Sequence, residues 1–278
     1  MVTSANPPDR PLETLDVPAS GPTTTSPEAD VLVIGLGEIG NPLLGLLSKS
    51  HRAAGRDIED RSFRNVQILH LCYPFGEGFV RSASRYVSMY EPELVIVNST
   101  VVPGTSRAIC EETGTKTVYS PVRGKHLKMG NELLRYAKFL AGSSPDAVAL
   151  ADKHFTDVGI RTRHMSSFEV LELAKLLETT YFGVLVAWAQ EMDRYGEALG
   201  TDYWEALQFL DEIDFLPHAR FEPGYIGGHC VMPNLGLLAQ VRESPFIDAI
   251  RQSNAQREAE WQKMGRALSE RLSPRANE

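Results

Sequence analysis

The spacing of apolar residues along the chain changes near Ser166. Before it, short β-branched runs alternate with polar connections. Val31-Leu32-Val33-Ile34 is uniformly apolar, the pattern of a strand buried on both faces of a parallel sheet. The same reading gives a weakly hydrophobic strand from about His51 to Asp57, a third over Val66–Cys72, and a fourth at Leu94–Val97. Further strands fall near 117–119, 137–141 and 161–164. A helix near Pro42, with Leu43, Leu44, Leu46 and Leu47 on its apolar face, follows the first strand, and another covers 77–90. This alternation predicts an α/β fold, a Rossmann-like, doubly wound parallel sheet.

After Ser166 the period becomes helical. Phe168 to Leu199 has almost no breakers, Gly183 among the few, and Leu171, Leu173, Leu176, Leu177, Phe182 and Leu185 line broad apolar faces. Helical patterns return at 203–212, 235–242 and 245–272. The expected organisation is a tail over 1–28, a Rossmann domain over 29–165, and a mainly helical domain over 166–278 with a long central helix. The tail is rich in Pro, Ser and Thr, so it buries too little surface to offset its ordering entropy and is expected to be disordered.

Composition narrows the function classes. A chain of 278 residues can bury a large core. Its net charge of −8 argues against nucleic acid as the main partner. Cys72, Cys110 and Cys230 are too widely spaced for a disulfide framework or a zinc pattern, so no metal is expected. That usage suits a reducing cytoplasm. No apolar run is long enough to span a bilayer, and the first residues lack a signal-peptide pattern. The expectation is a cytoplasmic protein acting on a small molecule, with no nucleic-acid or membrane partner.

Two segments carry candidate chemistry. Gly35-Leu36-Gly37-Glu38-Ile39-Gly40 follows a predicted strand and opens a helix, the context that gives a GxGxxG string meaning. Gly35 allows the turn, Gly37 lets the backbone approach a pyrophosphate, and Gly40 permits close helix–strand packing. Asp57 lies where a carboxylate would hydrogen-bond the adenosine ribose. It would repel a 2′-phosphate, so NAD is favoured over NADP, with Arg56 and Arg61 as countervailing charges. Tyr73, Pro74, Ser99 and Thr100 complete the expected cofactor set, alongside Glu38 and Ile39 of the fingerprint. The second segment is Pro223-Gly224-Tyr225-Ile226-Gly227-Gly228-His229-Cys230. Glycines leave the backbone open to a substrate, and an accessible thiol is a candidate nucleophile.

Together these segments resemble the UDP-glucose / UDP-N-acetylmannosamine (GDP-mannose) dehydrogenase family over about residues 29–260. Asn98-Ser99-Thr100-Val101-Val102-Pro103-Gly104-Thr105 is similar to the family's segment beside the nicotinamide. Glu172-Leu173-Ala174-Lys175 is similar to the opening of the helix that carries its catalytic lysine, and Gly227-Gly228-His229-Cys230 to its nucleophile loop. The resemblance implies oxidation of a primary alcohol in two hydride transfers, through a thiohemiacetal and a thioester on Cys230. It assigns Lys175 to stabilising oxyanions and Thr100 to bonding the reacting oxygen or a water. It also implies a homodimer through the long helix, with Tyr181, Phe182 and Trp188 as anchors.

Several positions depart from the family pattern. Its aspartate four residues after the cysteine is Asn234 here, and an amide is no general base. Its asparagine four residues after the lysine is Thr179, and its Ser-Pro-Glu-Arg segment reads Ser120-Pro121-Val122-Arg123. His229 and His126 can act near neutral pH in place of the lost acids. Arg123, Lys125, His126 and Lys128 form a basic cluster suited to a phosphate or carboxylate. Thr179, Gly227 and Gly228 complete the expected substrate contacts. The sequence stops near where the family's third, nucleotide-sugar-binding domain would begin. A sugar, nucleoside or phosphorylated substrate is therefore expected. Two other readings stay open: a two-electron enzyme resembling the 3-hydroxyacid and 6-phosphogluconate dehydrogenases, and a non-catalytic NAD-binding regulator.

Overall fold

A computed structural model describes residues 21–57, 62–124, 128–215, 221–228 and 230–272, with side chains to residue 264. Packing divides the chain into two units, Met1–Lys175 and Leu176–Glu278.

The first unit alternates strands and helices: β1 (Val31–Ile34), α1 (Gly40–Leu47), β2 (Ala53–Arg56), β3 (Ile68–Leu71), α2 (Phe79–Tyr90), β4 (Leu94–Val97), α3 (Thr105–Thr113), β5 (Lys116–Tyr119), α4 (Met129–Arg135), β6 (Lys138–Gly142), α5 (Pro145–Thr156) and β7 (Thr162–His164). The strands form one sheet in the order β2-β1-β3-β4-β5-β6-β7. β1 to β5 are parallel, with Val31 opposite Ala53 and Ile68, and Leu94 opposite Lys116. The doubly wound expectation holds for these strands. β6 departs from it by pairing antiparallel with β5, Tyr119 opposite Ala141, while β7 runs parallel to β6.

Alternation along β1 builds a core on each face. Leu32 and Ile34 pack with Phe79, Tyr86 and Ile109 on one side. Val31 and Val33 pack with Leu43, Leu47, Leu133 and Phe155 on the other. Burying each such side chain contributes roughly 1.5–3 kcal/mol, so the apolar strands dominate the unit's stability. Helices α3, α4 and α5 were not expected from periodicity. α5 nonetheless carries a start signal: the Ser144 side chain accepts from the Ala147 N–H at 3.2 Å, and Pro145 follows it.

One face of the sheet also encloses polar groups. Lys138 Nζ donates to Asn98 Oδ1 (3.1 Å), Ser120 Oγ (3.0 Å) and Ser120 O (2.5 Å). These oxygens match the three N–H bonds of an ammonium, while burial pushes the Lys138 pKa down to about 7. Asn98 Nδ2 lies 3.1 Å from His70 Nδ1, and His70 Nε2 lies 2.9 Å from His154 Nε2. The amide can only donate, so His70 carries its proton on Nε2 and passes it toward His154. That geometry requires two neutral rings. Burial, reinforced by the neighbouring cations, lowers both pKa values, His154 to about 3.

The second unit is helical. The long α6 (Phe168–Leu199), expected over the same span, begins in the first unit and runs into the second, followed by α7 (Tyr203–Asp211), α8 (Val231–Val241) and α9 (Pro245–Leu272). Val186, Ala187, Ile226, Val231, Leu235, Ile247 and Ile250 form its core. α8 starts four residues earlier than its apolar pattern predicts, because Pro233 falls in the first turn, where its missing N–H costs nothing. No helix among the described residues is long and apolar enough to cross a membrane.

The histidine pair makes stability depend on pH. Below the ordinary value of 6.5 the unfolded chain binds protons that the buried rings refuse. Stability is therefore complete above about pH 6.5 and falls as the pH drops toward the folded-state values. Each histidine forfeits about 2.3 kcal/mol between pH 6.5 and 4.5 if it stays neutral when folded. Urea unfolding at the two pH values measures the loss. The double variant His70→Leu/His154→Leu should flatten it.

Candidate functional site

Two local sites emerge, one in each unit. In the first, the sheet order reverses at β1, with β2 on one side and β3 on the other. Such a switch point opens a crevice at the carboxyl ends of the strands. The loops after β1, β3 and β4 meet there, and Ser99 Oγ donates to Tyr73 O at 2.6 Å, tying two of them together. Thr100 is half-buried beside Ser99, Tyr73 is buried, and Pro74 is exposed.

The three fingerprint glycines have different physical causes. Gly35 has φ +89°, and a Cβ on it would lie 2.8 Å from Tyr73 N. A Cβ on Gly40 would lie 1.8 Å from Gly35 O, so α1 could not approach β1. Gly37 is exposed and has nothing within 4 Å of its would-be Cβ. Among the described residues no neighbour accounts for Gly37, whereas a ligand lying against the loop would. Ile39 caps α1 without a side-chain hydrogen bond, so the helix presents its N-terminal N–H groups and positive dipole end. Glu38 is exposed on the same loop.

Asp57 is exposed just past the end of β2. Its neighbour Arg56 is turned inward, 3% exposed, donating to Tyr90 OH at 2.9 Å and lying 5.7 Å from the Tyr86 ring centroid. Arg56 is thus committed to the core rather than to a 2′-phosphate. Arg61 lies outside the described residues. The turn, the open Gly37, the α1 N-terminus and Asp57 together fit a dinucleotide with a free 2′-hydroxyl.

Glu172, quoted above only as part of a motif, proves to be structural glue for this site. Its buried carboxylate accepts from Gly104 N (2.7 Å) and Ser106 N (2.9 Å), capping α3 directly after the Asn98–Gly104 loop. Burial raises its pKa, opposed by those N–H donors. One turn earlier, Glu169 makes a two-bond pair with Arg107 (2.5 and 3.0 Å). That pair lies in solvent, where screening leaves it little weight. Removing the buried carboxylate would orphan two N–H groups, at about 1–3 kcal/mol each.

In the second unit, half-buried Cys230 is the N-cap of α8 and faces the positive end of that helix dipole. Gly183 explains itself here. A Cβ on it would lie 2.8 Å from Val231 Cγ1, so this glycine in α6 lets the start of α8 pack closely. Gly227 and Gly228 are exposed beside the thiol, and Gly228 has φ +80°. Two departures from the family pattern meet: Asn234 Nδ2 donates to Thr179 Oγ1 (3.1 Å), which donates to Leu176 O (3.1 Å). Both side chains are buried, and neither is a base near neutral pH.

Lys175 is half-buried on α6. Arg123 donates to Ala137 O at 2.7 Å and stacks over Phe139 at 4.8 Å, so part of the expected basic cluster serves the fold. Lys128 is exposed. Lys125, His126 and His229 lie outside the described residues. Among the described residues no group of His, Cys, Asp and Glu is placed to hold a metal ion.

Fold and loops define a class: a Rossmann-like dinucleotide-binding fold joined to a helical unit that carries a cysteine at a helix N-terminus. More particularly, residues 169–256 match the UDP-glucose/GDP-mannose dehydrogenase family, central domain. The UDP-N-acetyl-D-mannosamine dehydrogenase of Methanococcus maripaludis is 24% identical over 164 residues, 58% of this chain and 38% of that protein. That of Pyrococcus horikoshii is 26% identical over 230 residues, 75% of this chain and 54% of its own. The chain thus matches less than two thirds of the length of these relatives. The solved structure of the Pyrococcus horikoshii UDP-D-ManNAc dehydrogenase shares the fold, with TM-score 0.74 and 20% identity over 86% of this chain and 72% of that one. The fold is also that of Mycobacterium tuberculosis 3-hydroxyisobutyrate dehydrogenase, with TM-score 0.65 and 15% identity over 82% of this chain and 93% of that one.

The different causes of Gly37 and Gly40 separate binding from folding. Gly37→Ala should leave urea stability within about 0.5 kcal/mol of the parent, as at an ordinary exposed position. Its affinity for NAD, read by calorimetry, should fall at least about tenfold, or 1.4 kcal/mol. Gly40→Ala should cost on the order of 3 kcal/mol, because backbone must move.

Proposed function

We propose that this protein is an NAD-dependent dehydrogenase that oxidises a primary alcohol of a sugar, nucleoside or phosphorylated substrate through Cys230. The observation that carries the reading is Cys230 at the N-terminus of α8, on a glycine loop inside the matched family segment. The relatives' names point to nucleotide sugars as the first substrates to test.

Gly35, Gly37 and the α1 N-terminus would hold the pyrophosphate, and Asp57 the adenosine ribose. When bound, the nicotinamide supplies the hydride acceptor. The protein's own groups do the rest. Removal of a first hydride and the hydroxyl proton turns the alcohol into an aldehyde; Cys230 adds to its carbon, leaving negative charge on the carbonyl oxygen that a cation would stabilise. Lys175 has that role. Loss of a second hydride leaves an acyl group on the sulfur. Water then cleaves the thioester, returning the thiol and releasing the carboxylate. Asn234 and Thr179 supply no base for that step, so water activation falls to a histidine, His229 or His126.

The Asn234–Thr179 pair also favours a second reading, in which oxidation stops after two electrons, at the aldehyde or ketone. Counting electrons decides between them. With NAD and a panel of nucleotide sugars, nucleosides and sugar phosphates, the cysteine route predicts two NADH per carboxylate. Cys230→Ser should lower acid formation by about 10³-fold or more, since it removes the nucleophile. One NADH per carbonyl product, undiminished in Cys230→Ser, would establish the two-electron reaction.

Assembly belongs to the same reading. Tyr181, Phe182 and Trp188 stand exposed along α6, at 53%, 46% and 54%. An apolar hollow of about 260 Å³ beside them is lined by Trp188, Met192, Tyr195, Leu199 and Leu210. Aromatic side chains in this density suit a self-complementary interface. Sedimentation should give twice the 30.8 kDa chain mass, and Trp188→Lys should shift the protein toward monomer. A monomeric parent would refute the dimer.

A further inference from the structure

The loop that ends in Cys230 has an unusual mechanical problem. Pro223, Gly224, Gly227 and Gly228 give it little side chain to bury, so packing alone holds it weakly. Among its described residues Ile226 alone joins the core. The backbone on either side of that residue is instead gripped by polar side chains from two helices. Asn254 of α9 uses its whole carboxamide on one residue: Oδ1 accepts from Ile226 N at 2.7 Å and Nδ2 donates to Ile226 O at 3.0 Å. A carboxamide is the side chain that reproduces a peptide group, with one acceptor and one donor side by side. Asn254 therefore replaces the strand neighbour that the loop lacks.

The grip is itself fixed. Gln190 of α6 donates to Gly224 O at 2.7 Å and to Asn254 Oδ1 at 3.3 Å. Its own oxygen accepts from Ser253 Oγ at 2.9 Å. Arg194 donates to Ser253 Oγ (3.0 Å) and Ser253 O (3.0 Å), and Arg257 donates to Gln190 O (3.1 Å). Asn254 and Gln190 are 2% and 0% exposed. Buried polar groups whose partners are all satisfied specify one geometry, because any alternative leaves one of them unpaired.

We propose that Asn254, held by Gln190, is a positioning residue that sets the place of the Cys230 thiol at the start of α8. It touches no substrate and acts through the backbone of Ile226, four residues before the cysteine. The proposal rests on the reading of Cys230 as nucleophile for its effect on turnover, but its effect on the thiol can be measured without any substrate.

The test uses the full chain with two variants, Asn254→Ala and Gln190→Met. Iodoacetamide labelling, resolved by peptide mass, gives separate rates for Cys230 and for Cys110 in each folded protein. The expected result is a change of fivefold or more in the Cys230 rate, with the Cys110 rate unchanged. Once a substrate is in hand, kcat should fall about tenfold while KM and NAD affinity stay within twofold. A Cys230 rate equal to the parent's in a folded variant overturns the proposal, whatever happens to thermal stability. If Asn254→Ala does not fold, Gln190→Met decides, since it removes the bond to Gly224 and leaves Ile226 paired. A Cys230→Ser variant with Asn254 and Gln190 intact that still makes acid would overturn the functional reading alone. The labelling result would then stand by itself.

Discussion

The close approach of Gly40 to the carbonyl of Gly35 is the constraint on which the first unit depends. A single methylene at Gly40 would fall 1.8 Å from that oxygen. With the glycine in place, α1 lies against β1, Leu43 and Leu47 reach the sheet, and the α1 N-terminus opens at the strand reversal. The same contact thus seals one half of the core and sets where the α1 N-terminus lies. Gly37 then lies at the open rim, and its missing side chain has no internal cause.

Polar groups buried near that crevice do a different job. Lys138 bridges Asn98, at the end of β4, to Ser120, after β5. Asn98 in turn orders His70 and His154. A buried ammonium is tolerable only when its donors are satisfied, so the loops carrying Asn98 and Ser120 are held at fixed positions by the cost of leaving Lys138 unpaired. Glu172 holds the other end of the Asn98–Gly104 loop by the same logic, through the N-terminus of α3. In the second unit, the loop leading to Cys230 is fixed by Asn254 and Gln190. Each flexible segment is thus secured by a buried polar side chain from a rigid element.

The sequence made the regular elements legible where one period dominated. β1 and β4 are uniformly apolar, and their bounds follow from that alone. α6 keeps helical spacing over its whole length, and its ends were readable too. α3, α4 and α5 did not stand out by period, although Ser144-Pro145 is a start signal for α5. The start of α8 was hidden by Pro233, which reads as a breaker until its place in the first turn is known.

What the sequence determined by itself was local: strand and helix periods, a glycine turn in its proper context, and a thiol after a glycine run. These depend on neighbours within a few residues. Tertiary structure decided the antiparallel direction of β6, the inward turn of Arg56, the meeting of Asn234 with Thr179, and the grip of Asn254 on Ile226. Each of the last three joins residues 28 or more positions apart. Hydrogen bonds between such residues leave no periodic trace, because the distance along the chain bears no relation to the direction of a side chain. Only the packed core, by bringing helices and loops to fixed positions, selects which polar groups can satisfy one another.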